Sequence, residues 1–314
     1  MSHPETLRIS SAHVTRQFAR RSPLDAAQFL YGEIAQRMLQ RLSYIRIAPA
    51  ALLDAGCGAA HGLPLLRTRF PTAHYTGLDA CEPLLHVARQ RHGARRSVWQ
   101  TWIQRAPKGE NRFILADLAD TTLAPESLDL VWSNLALHWH PAPHRVLMEW
   151  RRILRPGALV MFSCLGPTSL QEIRQAIVQA DLQTCVLPLV DMHDVGDLLL
   201  QHGFGDPVMD QETLTLTYRN PQALLQDLRS LGGNPALDRR GHLPNRQWYA
   251  RLLSTLDGQR RADGMLHLTL EVAYGHAWRS ASLRDKGETR IAVSAIGRAR
   301  RGASTASLTP HIDA

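Results

Sequence analysis

Two glycines at alternate positions, Gly56 and Gly58, sit in LLDAGCGAA (residues 52 to 60), directly behind an apolar run that ends in Asp54. Lacking side chains, they turn the chain tightly from a strand into a helix and let a ligand lie against the backbone, with Cys57 between them. Roughly twenty residues on, HYTGLD brings Asp79, followed by Ala80, to the end of a second strand, where a carboxylate can accept from both hydroxyls of a ribose. The chemistry implied is the binding of a nucleoside cofactor. A dinucleotide site wants a third small residue where this chain has His61, and a phosphate loop wants a lysine that is absent. S-adenosylmethionine carries no phosphate and needs only the close backbone approach and the acid, so it is the cofactor this pattern fits.

Ligands of open α/β sheets sit at the carboxyl ends of the strands, and Asp54, Asp79, Asp117 and Asn134 all fall at or near such ends. Asp117 closes RFILAD and is placed to accept from an adenine amino group, with Leu118 beside it; its other reading is a turn or helix-cap residue. Asn134 interrupts an apolar strand and needs a partner if buried, which either a ligand or a neighbouring loop could provide. His138, His140 and His144 are not read as a metal site. Pro141 and Pro143 intervene, and neither an HExxH pattern nor a cysteine cluster accompanies them. His138 and Trp139 read either as cleft lining or as packing at the start of a helix.

The elements that must position these residues follow from periodicity. Ala27, Leu30, Ile34, Met38 and Leu42 predict one helix over 24–42. Strands are expected at 51–55, 74–79, 112–117, 128–136 and 158–164. Between them lie helices carrying Leu63, Leu66 and Phe70, then 83–91, then Val146, Leu147, Trp150, Ile153 and Leu154, the last closing at Pro156-Gly157. That alternation predicts an α/β fold with a doubly wound, mostly parallel sheet. Helices at 168–181 and 191–202, strand-like runs at 212–218 and 266–274, and a helical stretch over 221–255 broken at Gly232-Gly233-Asn234-Pro235 form C-terminal additions. The expected organisation is a helical lid (1–48), a cofactor domain (49–280) with a basic insertion at 93–111 carrying Trp99 and Trp102, and a basic tail (281–314) with a strand-like run from Arg290 to Ala295.

At 44% hydrophobic and 20% charged residues the chain is globular. No apolar run approaches the ~18 residues of a membrane helix, and MSHPETLRIS has no signal-peptide core. The cysteines form no CxxC pair, so a reduced, cytoplasmic protein without membrane contact is expected. The net charge of +8 favours an anionic partner. Nucleic-acid modification is disfavoured. SNLALHW stands where amino-methylases of bases carry Asn-Pro-Pro-Tyr, and there is no Pro-Cys pair for cytosine-C5 chemistry.

The order DAGCG, GLD, LAD, VWSNLALHW, RILRPGALVMFSCLGP resembles a class I S-adenosylmethionine-dependent methyltransferase, which implies a Rossmann-like sheet. RRSPLDAAQFLYGEIAQRM, FSCLGPTSLQEIR, DMHDVGDLLLQHGFGDPVMDQETLTLTY and LHLTLEVAYGHAW resemble, more narrowly, the malonyl-acyl-carrier-protein O-methyltransferases of biotin synthesis, over about residues 13 to 280. Two positions depart from the family pattern: Ala60 stands for a third glycine, and Leu24-Asp25 for an aromatic residue before Asp.

The resemblance implies methyl transfer to the free carboxylate of a malonyl thioester on acyl-carrier protein, or on malonyl-CoA. The product is the methyl ester that primes pimeloyl synthesis. Such a carboxylate is already ionised at pH 7, so no catalytic base is assigned; alignment and water exclusion supply the rate. A dry cleft with aromatic walls is then expected, Phe18 and Trp139 being candidates, with one cation to orient the substrate. Arg174, after the GPTSL turn, is either that cation, gripping the carboxylate bidentately, or a solvated helix-face residue. Three arginine clusters, Arg20 with Arg21, Arg95 with Arg96, and Arg151, Arg152 and Arg155, offer faces for an acidic carrier. The rival readings are a methyltransferase of another small carboxylate and a cofactor-binding protein that does not methylate. The latter would be similar to the mitochondrial complex I assembly factors, one of which hydroxylates arginine.

Overall fold

The apolar run behind the glycine turn forms β1 (Ala51–Ala55). Parallel pairing extends from it through β2 (His74–Asp79) to β3 (Asn111–Leu115) on one side, and through β4 (Leu128–Ser133) to β5 (Leu154–Leu165) on the other. Two longer strands, β6 (Phe204–Tyr218) and β7 (Leu266–Arg279), complete a seven-stranded sheet in the order β3-β2-β1-β4-β5-β7-β6, with β7 antiparallel to both neighbours. The computed structural model describes residues 6–93, 111–239 and 245–281. Residues 94–110 of the basic insertion, with Trp99, Trp102, Arg95 and Arg96, and the tail beyond residue 281, with its strand-like run, lie outside the described residues.

Side chains alternate across each strand, so successive residues feed opposite layers. On one face, Leu30, Ile34, Met38 and Leu42 of α2 (Gln28–Ser43) and Leu63 and Leu66 of α3 (Leu63–Arg69) cover Leu52, Leu130, Trp132 and Met161. α4 (Glu82–His92) follows β2. On the opposite face, Val146, Leu147, Trp150 and Ile153 of α5 (Pro143–Ile153) cover Leu53, Val131, Val160 and Phe162. α6 (Gln171–Gln179), α8 (Pro221–Ser230) and α9 (Arg246–Asp257) build a third cluster with the Tyr218 and Leu266 ends of β6 and β7, and α7 (Met192–Gln201) packs with α5.

Several boundaries differ from expectation. Residues 11 to 19, polar and basic, form α1 (Ser11–Ala19), started by the Ser10 hydroxyl accepting from the His13 N–H at 3.2 Å. The helix expected from residue 24 begins as a single 3₁₀ turn, Asp25–Ala27, before α2. β4 ends at Ser133, not 136, because Leu135 takes a left-handed conformation (φ 51°). α5 stops at Ile153, and β5 runs straight through Pro156-Gly157; Leu154 already pairs with Leu128, so sheet pairing overrides the local breaker signal. Among the described residues no helix is long and apolar enough to cross a membrane.

Candidate active site

The sheet order reverses between β1 and β4, and a crevice opens there at the carboxyl ends of the strands. The empty space there, counted together with the solvent it opens to, is about 1200 Å³. The turn after β1 makes its floor. Gly56 (φ 80°) and Gly58 (φ 55°) both take left-handed conformations, and a Cβ on Gly56 would lie 2.3 Å from Cβ of Ala136. The N–H groups of Gly56 and Cys57 donate to the carbonyl of Leu78 at 2.8 and 3.0 Å, which ties the turn to the end of β2. Ala60 is left-handed too (φ 58°), so the position that departs from the family pattern keeps the backbone a glycine would take.

Asp79 faces this turn. Its Oδ2 accepts from the Gly58 N–H at 2.9 Å and its Oδ1 from the Cys81 N–H at 2.8 Å. Burial raises its pKa to about 6, against the lowering by these backbone donors. A carboxylate offers about four lone-pair sites, so each oxygen keeps room for a further donor. Asp54 lies deeper. Burial, aided by the neighbouring Asp79 charge, raises it to about 7, while the Tyr75 hydroxyl donates to its Oδ2 at 2.7 Å and fixes its rotamer. Asp117 stands across the crevice, accepting on Oδ1 from the Ala119 N–H at 2.7 Å. Nδ1 of His140 accepts from the Ala142 N–H at 3.0 Å; the ring proton therefore sits on Nε2, which donates to Asp117 Oδ1 at 3.1 Å. That contact, together with the Ala119 N–H, holds the Asp117 carboxyl below its ordinary range despite burial.

All nine residues expected at the cofactor line the crevice: Asp54, Gly56, Cys57, Gly58, Asp79, Ala80, Asp117, Leu118 and Asn134. Two of them hold the frame together. The Cys57 sulfur lies by Gly77, where a Cβ would be 2.9 Å away. The Asn134 amide donates to the Tyr31 carbonyl at 2.9 Å and its oxygen accepts from the Ser163 hydroxyl at 2.9 Å, so the partner its position demanded is supplied by α2 and β5.

Of the four residues expected at the substrate, Phe18 and Trp139 line the crevice and meet edge to face at 5.3 Å. His138 does not line it. It is buried behind Trp139, with ring centroids 5.0 Å apart, and burial lowers its pKa to about 3. Arg174 is not brought to the crevice either. It lines a separate groove with Ile177, Val186 and Leu187, because α6 packs against α9 and β7 and not over β1 and β4. Among the described residues no lysine or arginine lines the crevice.

The roof falls within the helical lid expected from the sequence, but most of its lining residues were not singled out there. Ser11, Val14 and Thr15 of α1, and Gln28 and Tyr31 of α2, line the crevice from above. Their signal was an i, i+3, i+4, i+7 spacing from Ser11 to Phe18, masked by the polar composition of the segment. His61 lines the rim, and its Nε2 lies 2.8 Å from Asp25 Oδ1, while Arg91 contacts both Asp25 oxygens at 3.1 Å. This cluster ties the start of α2 to the glycine turn and to α4. Among the described residues no group of His, Cys, Asp or Glu has the arrangement of a metal site.

The crevice chemistry suits a phosphate-free, cationic nucleoside: three carboxylates, no lysine or arginine among the described lining, and a roof that includes Val14 and Phe18. Comparison with known proteins points the same way. Residues 53–162 match the family model described as a methyltransferase domain. A malonyl-acyl-carrier-protein O-methyltransferase of Laribacter hongkongensis is 43% identical, over 82% of this chain and 85% of its own length. One from Gallionella capsiferriformans is 41% identical, over 82% of this chain and 86% of its own. Among solved structures, the YcgJ protein of Bacillus subtilis shares the fold, with a TM-score of 0.53 at 11% identity, covering 79% of this chain and 100% of that one.

Proposed function

The chain belongs to the family of malonyl-acyl-carrier-protein O-methyltransferases, and we propose that its crevice holds S-adenosylmethionine against the free carboxylate of a malonyl thioester borne by acyl-carrier protein. The enzyme is an S-adenosylmethionine-dependent O-methyltransferase. Its product is the malonyl methyl ester that primes pimeloyl synthesis for biotin. The observation that carries the reading is the charge of the crevice wall, with Asp54, Asp79 and Asp117 present and no lysine or arginine among the described lining residues. Such a wall attracts a cation and repels a pyrophosphate.

When bound, S-adenosylmethionine supplies a methyl group on a positively charged sulfur. The chain's own residues bind, align and dry the site. Asp79 accepts from the ribose hydroxyls with its free lone pairs, its carboxylate locked by two backbone donors. Asp54 offers negative charge to the cationic end of the cofactor. The second oxygen of Asp117 is free to accept a hydrogen bond from the adenine amino group while His140 holds the first. Phe18, Val14 and Trp139 roof the crevice and exclude water, which strengthens every charge interaction beneath them. No base is needed, because the attacking malonyl oxygen is already ionised at neutral pH.

The deciding experiment incubates the protein with methyl-labelled S-adenosylmethionine and malonyl-acyl-carrier protein, then weighs the carrier by mass spectrometry. One added methyl group on the malonyl carrier, and none on the acetyl carrier that lacks the free carboxylate, is the expected result. Label that passes only to free small acids would reassign the substrate. Tight cofactor binding with no transfer to any carboxylate would leave a binding protein.

A further inference from the structure

Three arginine clusters in the sequence could meet an acidic partner, and the tertiary structure separates them. Arg151, Arg152 and Arg155 lie at the end of α5 and the start of β5, on the amino edge of the sheet, opposite the crevice. Their charge is largely spent there: Arg152 pairs with Glu149 at 2.7 Å, Arg155 with Asp129, and Arg279 beside them with Glu126. Arg95 and Arg96 lie outside the described residues. Arg20 and Arg21 sit on the crevice roof.

The roof helix has two faces. At 100° per residue, Ser11, Val14, Thr15 and Phe18 of α1 fall together and line the crevice, while Arg16 and Arg20, one turn apart, point the other way and are exposed. The segment after α8 folds back over this helix. Ser10 donates to the Pro235 carbonyl at 3.0 Å, Leu237 to the Arg8 carbonyl at 2.9 Å, and Arg239 lies 3.0 Å from the His13 ring. Arg21 donates to the Gln17 carbonyl at 2.7 Å and to the Arg229 carbonyl, which draws α1 to the last turn of α8. Arg16, Arg20, Arg21, Arg229 and Arg239 thus share one surface. His13 registers the crowding: burial first, then Arg239, Arg16, Arg20 and Arg21, lower its pKa. Among the described residues no carboxylate pairs with Arg16, Arg20 or Arg229, and the nearby Asp238 is taken by Arg8 at 2.6 Å. Like charges held this close without counter-charges cost stability, so the arrangement fits a partner of opposite sign.

We propose that this outward face of α1, joined by Arg229 and Arg239, is where the acidic surface of the carrier protein docks, so that the thioester arm enters the crevice past Phe18 on the inner face of the same helix. The proposal rests on the methyltransferase reading above and adds the location of the partner. Docking on the roof couples delivery to closure, because the partner presses on the helix whose other side excludes water from the crevice.

The test compares two substrates that carry the same thioester: malonyl-carrier protein, and malonyl-pantetheine, which has no protein surface. The variant R16E/R20E, a neutral counterpart R16Q/R20Q, and R229E are measured on both, with R46E as an exposed control elsewhere. The expected result is a loss of about tenfold or more in kcat/KM for the carrier substrate, carried by KM and steeper at low salt, with malonyl-pantetheine turnover and cofactor affinity unchanged. The glutamine pair should lose less than the glutamate pair. Full activity of all three variants on malonyl-carrier protein would overturn the docking site while leaving the enzyme assignment intact. Equal losses on both substrates would also overturn it, since they would mean that the arginines only hold the roof in place. If the variants shed binding to a fluorescent RNA oligonucleotide and kept carrier turnover, the face would belong to nucleic acid instead. Wild-type protein inactive on both thioesters would sink the methyltransferase reading itself.

Discussion

Asp79 and Asp54 show how much of the site lives in single residues. Both carboxylates are held above their ordinary range by burial, to about 6 and about 7, at a place where a cationic ligand would restore their charge. Two outcomes follow with opposite signs. In the free protein, groups whose folded pKa exceeds the unfolded value bind extra protons between about pH 4 and pH 7, so stability falls as pH rises through that window. Affinity for S-adenosylmethionine moves the other way, tightening from pH 5.5 to 8 as the carboxylates ionise. Thermal melts and calorimetric titrations across that range check both, and D54N, which keeps the Tyr75 hydrogen bond, should flatten each slope. D79A should weaken cofactor binding by at least tenfold. Unchanged affinity would remove the ribose from Asp79, and D79N, which cannot reproduce both backbone bonds, should fall between.

The β1–α3 turn and the α1 roof are the elements that shape the crevice, and each has one glycine on which it depends. Gly56 combines a positive φ with a virtual Cβ 2.3 Å from Ala136, so G56A should destabilise the fold by about 2–4 kcal/mol in a denaturant titration, through strain and overpacking together. Gly232 plays a different part. With φ 123°, its virtual Cβ falls 2.7 Å from the Trp139 ring and 3.1 Å from Phe18, so G232A pushes on the aromatic pair from behind. Its expected signature is a fall in kcat with a smaller change in stability than G56A, read from parallel turnover and unfolding measurements. The glycine turn was legible in the sequence because its backbone demands are local. The dependence of the roof on Gly232 was not, since nothing in a GGNP break says that it will land against a tryptophan 93 positions earlier.

At the scale of the molecule, a crevice with three carboxylates and no lysine or arginine among its described lining should sort ligands by charge. S-adenosylmethionine at a hundred times its Kd should stabilise the protein by about 2.7 kcal/mol and raise Tm, whereas NAD or ATP at the same concentration should leave it unmoved. A comparable shift with either phosphate compound would contradict the charge argument. The parallel β1–β5 core, the glycine turn and the strand-end acids were legible in the chain alone, since strand period, turn chemistry and the spacing of Gly58 and Asp79 are all short-range properties. The sequence could not decide which polar residues face the ligand and which brace the wall. Arg174 and His138 satisfied every local requirement of a substrate contact. Arg174 lies instead in another groove, where α6 packs on α9, and His138 lies behind Trp139. Nor could it rank three arginine clusters of equal sign. Only the packed structure puts one on the crevice roof and neutralises another with Glu149 and Asp129, because ion pairing and proximity to a site depend on residues far apart in sequence.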